Sequence, residues 1–166
     1  MKRILFIDYD ECTGCRMCVM ACSLEKTGTF NPARSRISIA KWEEEGIMAP
    51  VVCPQCEDPI CIQCCPVDAI VKNEVNGVVE INSQVCIGCK VCMMVCPFGG
   101  LILDPIEGKI IKCDLCDGDP QCVKVCETGA IQYVKANKGI TIRRRSTLEK
   151  ITRSLSRLIE TKSQSA

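Results

Sequence analysis

Between Cys86 and Pro97 the chain reads Cys86-Ile87-Gly88-Cys89-Lys90-Val91-Cys92-Met93-Met94-Val95-Cys96-Pro97. Three thiols recur at every third residue, a fourth follows after three intervening residues, and a proline closes the stretch. A loop this tight can wrap three thiolates around three irons of one cubane, which is the spacing of [4Fe–4S] ligation. Pro97 keeps the short helix after the loop from continuing. Cys96 therefore leaves in a new direction, and in two-cluster arrangements such a fourth cysteine serves the neighbouring cluster. One motif of this kind implies a partner motif.

The chain supplies three more. Motif one is Cys12, Cys15, Cys18 and Cys22, with the same spacing but Ser23 in place of the proline. Motif two is Cys53, Cys56, Cys61 and Cys65-Pro66, its loop lengthened by Glu57-Asp58-Pro59-Ile60. Motif four is Cys113, Cys116, Cys122 and Cys126, followed by Glu127. Sixteen of the 17 cysteines are thereby used, and they predict four [4Fe–4S] clusters. Because Cys65 and Cys96 both precede proline, Cys64 is the spare, expected as a small buried apolar residue. A variant with three working clusters would have lost its site at motif one or four, which lack the proline. Proline shapes the loop but donates no ligand, so four filled sites are expected.

Two rival uses of the thiols are weaker. Structural zinc favours separated pairs and often histidine, and this chain has no histidine. Disulfides close poorly between cysteines three apart on tight loops. The start, Met1 to Asp8, is too short and too quickly acidic for a secretory signal. A reducing, cytoplasmic setting is therefore expected, which favours metal over disulfide. No apolar run is long enough to span a bilayer.

The rest of the chain must position these loops with little to pack. Aromatic residues make up 4% of the 166, with a single Trp42, so metal centres are expected to replace part of a hydrophobic core. Residues 3–8 read as a buried first strand, Leu24 to Ser35 as a loop, and Arg36–Trp42 with Ile47–Val52 as strands around a turn at 43–46. Asn76-Gly77 between Lys72–Val75 and Val78–Ile81 predicts a hairpin with a two-residue type I′ turn. Leu101–Leu103 and Lys109–Lys112 predict a second hairpin. A cysteine trio, short helix, lone cysteine and apolar strand recur four times, which suggests two modules of two motifs each. Motifs two and three are contiguous, so motifs one and four must pair around them.

The net charge of +1 conceals a split between −5 over residues 1–136 and +6 over residues 137–166. The body is acidic and the tail basic. Ser146-Thr147-Leu148-Glu149 is a capping box. Leu148, Ile151, Leu155, Leu158 and Ile159 then form one apolar stripe, so an amphipathic helix is expected over about 146–162. A helix of that length is marginal alone in water and needs something to pack on. Arg143–Arg145 could serve nucleic acid or an anionic membrane, but an acidic protein surface suits them better.

No substrate chemistry is visible. There is no histidine base and no glycine-rich loop of dinucleotide pattern. No residue is expected to be catalytic, and the chain reads as a conductor of single electrons.

The four motifs resemble those of the four-cluster ferredoxin-like subunits of molybdopterin and tungstopterin oxidoreductases, such as dimethyl sulfoxide reductase and formate dehydrogenase. The resemblance covers about residues 3–135. Ala21-Cys22-Ser23-Leu24 and Phe30 to Ile37 are similar to the small iron–sulfur subunits of tungsten aldehyde oxidoreductase-type enzymes, including tungsten benzoyl-CoA reductases. The resemblance implies an α+β fold of two interleaved bacterial-ferredoxin-like modules related by a pseudo-twofold, occupying 1–136 with the inner module at about 50–105. It also implies swapped ligands. Cys12, Cys15 and Cys18 would share a cluster with Cys126, and Cys113, Cys116 and Cys122 with Cys22. Cys53, Cys56 and Cys61 would take Cys96, while Cys86, Cys89 and Cys92 would take Cys65.

The expected function is that of an iron–sulfur electron-transfer subunit, not catalytic alone, between a tungsten or molybdenum pterin subunit and a flavin (NAD-linked) subunit or other acceptor. A free-standing polyferredoxin is the alternative, and a zinc-stabilised nucleic-acid module is the rival from another class. An apolar tail stripe suits a docked subunit better than a mobile carrier. The tail could also dock on the acidic body of a second copy, although clasping its own body or the enzyme partner is the more common arrangement.

Overall fold

A computed structural model describes residues 2–139 and 141–142. Short strands and helices alternate in an α+β arrangement of four two-stranded antiparallel sheets. β1 (Arg3–Ile7) pairs with β8 (Ile131–Lys135), the first strand with the last, from Arg3 opposite Lys135 to Ile7 opposite Ile131. β2 (Ile37–Trp42) pairs with β3 (Ile47–Val52), β4 (Ile70–Lys72) with β5 (Val79–Ile81), and β6 (Leu101–Leu103) with β7 (Ile110–Lys112). The helices are α1 (Met17–Thr27), α2 (Ile60–Gln63), α3 (Val91–Val95) and α4 (Gln121–Lys124). α1 packs on α4 and α2 on α3, while β5 meets β7.

Two local expectations are corrected. Leu24–Thr27 is not loop but the last turn of α1. Motif three ends its helix at Val95, immediately before Cys96-Pro97. In motif one Ser23 keeps its N–H, so the helix runs on until Gly28, whose left-handed backbone (φ 68°) lets its N–H cap the Leu24 carbonyl. Ser23 itself is fully buried. Its hydroxyl donates to Met20 O at 3.0 Å and accepts the Asn31 N–H at 3.2 Å, tying the helix to the chain beyond it.

The Asn76-Gly77 hairpin is also wider than a two-residue turn. Asn73 and Val78 close the ladder (Asn73 N to Val78 O, 2.8 Å), and the Asn73 carboxamide oxygen accepts the Val75 N–H at 3.0 Å. The side chain thus caps a four-residue loop, which outcompetes the tighter turn. Asp104 does the same in the next hairpin, with its N–H on Lys109 O at 2.8 Å and its carboxylate accepting from Ile106 at 2.9 Å.

Buried cysteines share the core with aliphatic side chains. One cluster joins Cys18, Val19, Cys22, Ile37, Cys122 and Ile131, and a second joins Cys61, Ile70, Val79, Cys92, Leu101 and Ile110. Trp42, by contrast, is exposed. After β8 the chain turns directly into helix at 136–139 and 141–142, with Ala136 N–H on Lys2 O at 3.1 Å. The expected helix over 146–162 lies outside the described residues.

Candidate metal centres

Each cysteine loop turns through a left-handed residue two positions after its first cysteine. These are Gly14 (φ 69°), Gln55 (55°), Gly88 (69°) and Leu115 (61°). Glycine adopts this conformation freely, whereas Gln55 and Leu115 are strained by on the order of 1 kcal/mol each. Burial and side-chain bonds hold them there. Leu115 is buried in the core, and Gln55 donates to Cys113 O at 2.7 Å and accepts from Val79 N at 2.9 Å. In the tight loops a second left-handed residue, Arg16 or Lys90, starts the helix that carries the third cysteine. In the longer loops Pro59 and Pro120 precede α2 and α4 and do the same work.

Folding brings each trio together with a cysteine from a different motif. One cavity is lined by Cys53, Cys56, Cys61 and Cys96. Another is lined by Cys22, Cys113, Cys116 and Cys122. A third holds Cys65, Cys86, Cys89 and Cys92. Cys18 lies within electrostatic reach of Cys15, Cys12 and Cys126. The four groups also neighbour one another in sequence: Cys122 senses Cys18, Cys113 senses Cys53, and Cys92 senses Cys61.

Cys64, expected as a small buried apolar residue, packs against the core of Cys61, Ile70, Val79, Cys92, Leu101 and Ile110. It is half-buried, donates weakly to Cys61 O at 3.5 Å, and lines the same cavity as Cys65, Cys86, Cys89 and Cys92. Its position beside Cys65 on the turn after α2 points it toward that space.

The donor set of each group is four thiols, the ligand type that iron–sulfur clusters take. Among the described residues no three cysteine or carboxylate side chains converge closely enough to hold a single metal ion. Burial pushes the Cys18 and Cys92 thiols up to about 11 and Cys113 to about 12, and it raises Cys122 as well. Neighbouring thiols reinforce the effect, since crowded thiolates repel. A cationic iron–sulfide core would reverse that balance by stabilising thiolate. Backbone N–H groups already point at several sulfurs: Ala69 to Cys65 at 3.2 Å, Gly100 to Cys96 at 3.4 Å, Arg36 to Cys22 at 3.3 Å and Leu115 to Cys113 at 3.4 Å. Such bonds are a protein's lever on cluster potential. Cys126 differs, with the Thr128 hydroxyl 3.8 Å away.

Polar contacts unmarked by any motif lock the loops together. Asp114, inside the fourth loop, takes the Lys26 ammonium of α1 at 2.9 Å and the Arg36 guanidinium on the same oxygen. Arg34 reaches Asp104 at 2.8 Å and Glu107 at 2.6 Å, binding the segment after α1 to the β6–β7 hairpin. Lys112, buried at the end of β7, has its ammonium among backbone and carboxamide oxygens. Their partners are distant in the chain, so nothing in the local sequence marks them.

Comparisons with known proteins find iron–sulfur binding domains in this chain. Residues 44–136 match the 4Fe–4S dicluster domain, and residues 5–23 match the 4Fe–4S binding domain. The chain is 39% identical over 129 residues to the beta subunit of NADH-dependent phenylglyoxylate dehydrogenase from Aromatoleum evansii, an overlap of 76% of this chain and 29% of that relative. It therefore spans less than a third of that relative's length. It is 36% identical over 135 residues to the polyferredoxin-like subunit of aliphatic sulfonate oxidoreductase from Pyrococcus furiosus, covering 81% of this chain and 78% of the relative. Among solved structures, the active-site complex BamBC of benzoyl coenzyme A reductase as isolated aligns with a TM-score of 0.49 and 24% identity over 89% of each chain. Sixteen thiols in repeated trios and the match over 44–136 lead to one conclusion: the chain is an iron–sulfur protein of the 4Fe–4S dicluster domain family, similar to subunits of dehydrogenases and oxidoreductases.

Proposed function

We propose that the chain relays single electrons along a row of four [4Fe–4S] clusters. Cys12, Cys15 and Cys18 with Cys126 hold the first. Cys113, Cys116 and Cys122 with Cys22 hold the second. Cys53, Cys56 and Cys61 with Cys96 hold the third, and Cys86, Cys89 and Cys92 with Cys65 hold the fourth. The observation that carries this reading is the gathering of each trio with a lone cysteine of another motif. When bound, such clusters supply reversible one-electron sites. The chain's own part is to bind them, to bury them against water, and to aim N–H groups at their sulfurs.

Residues 1–136 then form one domain of two interleaved modules related by a pseudo-twofold, with residues 137–166 as a basic tail. The β1–β8 pairing and the α1–α4 contact support the outer module, and the α2–α3 contact supports the inner one. The row runs from first to fourth cluster because neighbouring cavities share close thiols. Exposed Ile60, Val95 and Phe98 roof the third cavity, which offers an electron a short path to a docked protein.

The chain serves as a subunit, not as a catalyst on its own. Its expected partners are a tungsten or molybdenum pterin catalytic subunit and a flavin (NAD-linked) subunit or other acceptor. The motif resemblance supports the pterin partner, and the NADH-dependent relative supports the second. No helix among the described residues is long and apolar enough to cross a membrane, and a cytoplasmic site of action is proposed.

Anaerobic purification of the tagged chain from its native host, with metal analysis of whatever accompanies it, tests this reading. Iron well above one chain's share together with tungsten or molybdenum is the expected result. About sixteen irons per chain with neither heavy metal would instead mark a free polyferredoxin. Zinc in place of iron would overturn the reading altogether.

A further inference from the structure

Lys112 closes β7 with its side chain only 4% exposed. Its ammonium carries three N–H donors and meets three acceptors: Val79 O, Cys113 O at 2.9 Å, and the Gln55 carboxamide oxygen at 3.3 Å. All three are neutral, and among the described residues no carboxylate pairs with it. A buried cation without a counter-charge is expensive, so native chains keep one only where something anionic stands nearby. Lys112 reaches the cavity of Cys53, Cys56, Cys61 and Cys96 through two of its acceptors, since Val79 lines that cavity and Gln55 belongs to its Cys53–Cys56 loop, and a cluster bound there would supply the anionic charge. The Cys56 and Cys61 thiols both sense the Lys112 charge.

The position in the row matters as much as the charge. Gln55 lies inside the Cys53–Cys56 loop, and Cys113 begins the ligand set of the adjoining cavity. Lys112 therefore stands at the junction of the second and third cavities. The two sides of this junction are electrostatically unlike. The third cavity adjoins, through Gln55 and Val79, an ammonium that no carboxylate pairs with, whereas the second is lined by Asp114 together with Lys26 and Arg36, whose charges are paired with one another.

Resting on the four-cluster reading above, we infer that Lys112 is a fixed positive charge that raises the reduction potential of the centre held by Cys53, Cys56, Cys61 and Cys96, making it an electron well in the middle of the row. A nearby cation stabilises the more negative, reduced state. With clusters bound, transfer between the two centres would oxidise the adjoining one by one electron and reduce this one by one, with no bond or proton changing place. Gln55 acts through Lys112 by holding the ammonium on the cavity side of β7.

The test uses the full chain, purified anaerobically with its partners, in wild-type, Lys112→Met, Lys112→Arg and Gln55→Glu forms. Iron content and the number of cluster signals are measured first, followed by a redox titration monitored by electron paramagnetic resonance. The signal that Cys96→Ser alters identifies the centre in question. In Lys112→Met that signal should shift to lower potential by at least about tenfold in its redox equilibrium, equivalent to 59 mV for a one-electron couple, with the outer signals unmoved. Lys112→Arg should restore it. Gln55→Glu, which sets a carboxylate against the ammonium, should lower the same signal without removing the lysine. Fully loaded Lys112→Met or Gln55→Glu protein with every midpoint unchanged would overturn the inference. So would loss of iron from both neutralised variants while Lys112→Arg stays loaded, since the ammonium would then be purely structural. A wild-type chain without four iron–sulfur signals would instead sink the cluster reading itself.

Discussion

Gly100 sits so close to Cys53 that a Cβ built on it would stand 2.7 Å from the Cys53 Cα and 3.0 Å from its Cβ. Its own N–H donates to Cys96 Sγ at 3.4 Å. The strand leaving motif three is thus pressed against the loop that opens motif two, and one residue serves both cysteines of the shared cavity. The conflict is with backbone, which cannot swing aside as a flexible side chain would. Gly100→Ala should therefore destabilise by about 1–3 kcal/mol, the usual range for overpacking. It should also deplete iron at the centre of Cys53, Cys56, Cys61 and Cys96. Iron analysis together with cluster spectra checks this; wild-type loading would contradict it.

Cys126 lies near Cys18, while the cavity of Cys113, Cys116 and Cys122 is lined by Cys22 in its place. Cys126→Ser should perturb the spectrum of the cluster bound by Cys12, Cys15 and Cys18 and leave that of Cys113, Cys116 and Cys122 intact. Mössbauer or paramagnetic resonance spectra distinguish the two. A change confined to the fourth-motif cluster would refute the swapped arrangement.

Ser23 occupies the place where motifs two and three carry proline, yet it is interior to α1. Ser23→Pro, which makes motif one resemble its siblings, should be harmful. It would delete a helical N–H and press its ring on the carbonyl four residues back, a loss of about 3 kcal/mol. The hydroxyl bond to Asn31 N–H would go as well. Thermal unfolding of loaded protein should show a clear drop, and an unchanged midpoint would mean that α1 ends before Ser23.

The Arg34–Asp104 pair sets a pH dependence. Burial alone would raise the Asp104 carboxyl, but the N–H groups of Ile106 and Glu107, together with Arg34, outweigh it and hold it below its ordinary value. A carboxyl depressed by folding adds stability above its unfolded value of about 3.9. That stability is lost as pH falls through the lower folded value. Asp104→Asn should hence be less stable than wild type near neutrality, and the gap should close as pH drops below about 4. Unfolding midpoints measured across pH follow this directly; a gap independent of pH would leave the charge without a role.

The cysteine loops are legible from sequence because cluster binding by a trio is a local requirement. Cys86, Cys89 and Cys92 must be near neighbours in the chain to surround one cubane, and their spacing says so. The same holds for the three short hairpins, β2–β3, β4–β5 and β6–β7, whose apolar strands and turn residues are contiguous. Local reading failed where side chains competed for backbone groups. Asn73 widened the turn expected at Asn76-Gly77, and the absence of proline at Ser23 let α1 run on to Thr27.

The chain by itself determined how many thiols there are and how they are grouped, and its few aromatics set the expectation of a metal core. Which lone cysteine faces which trio was decided only by the fold. Cys96 meets Cys53 and Cys126 meets Cys18 across long stretches of chain because β1 pairs with β8 and α2 packs on α3. The Asp114 and Lys112 contacts belong to the same class. A charged side chain carries no sign of its partner in the local sequence, and a neutral shell around Lys112 exists only once β5, β7 and the Cys53–Cys56 loop converge.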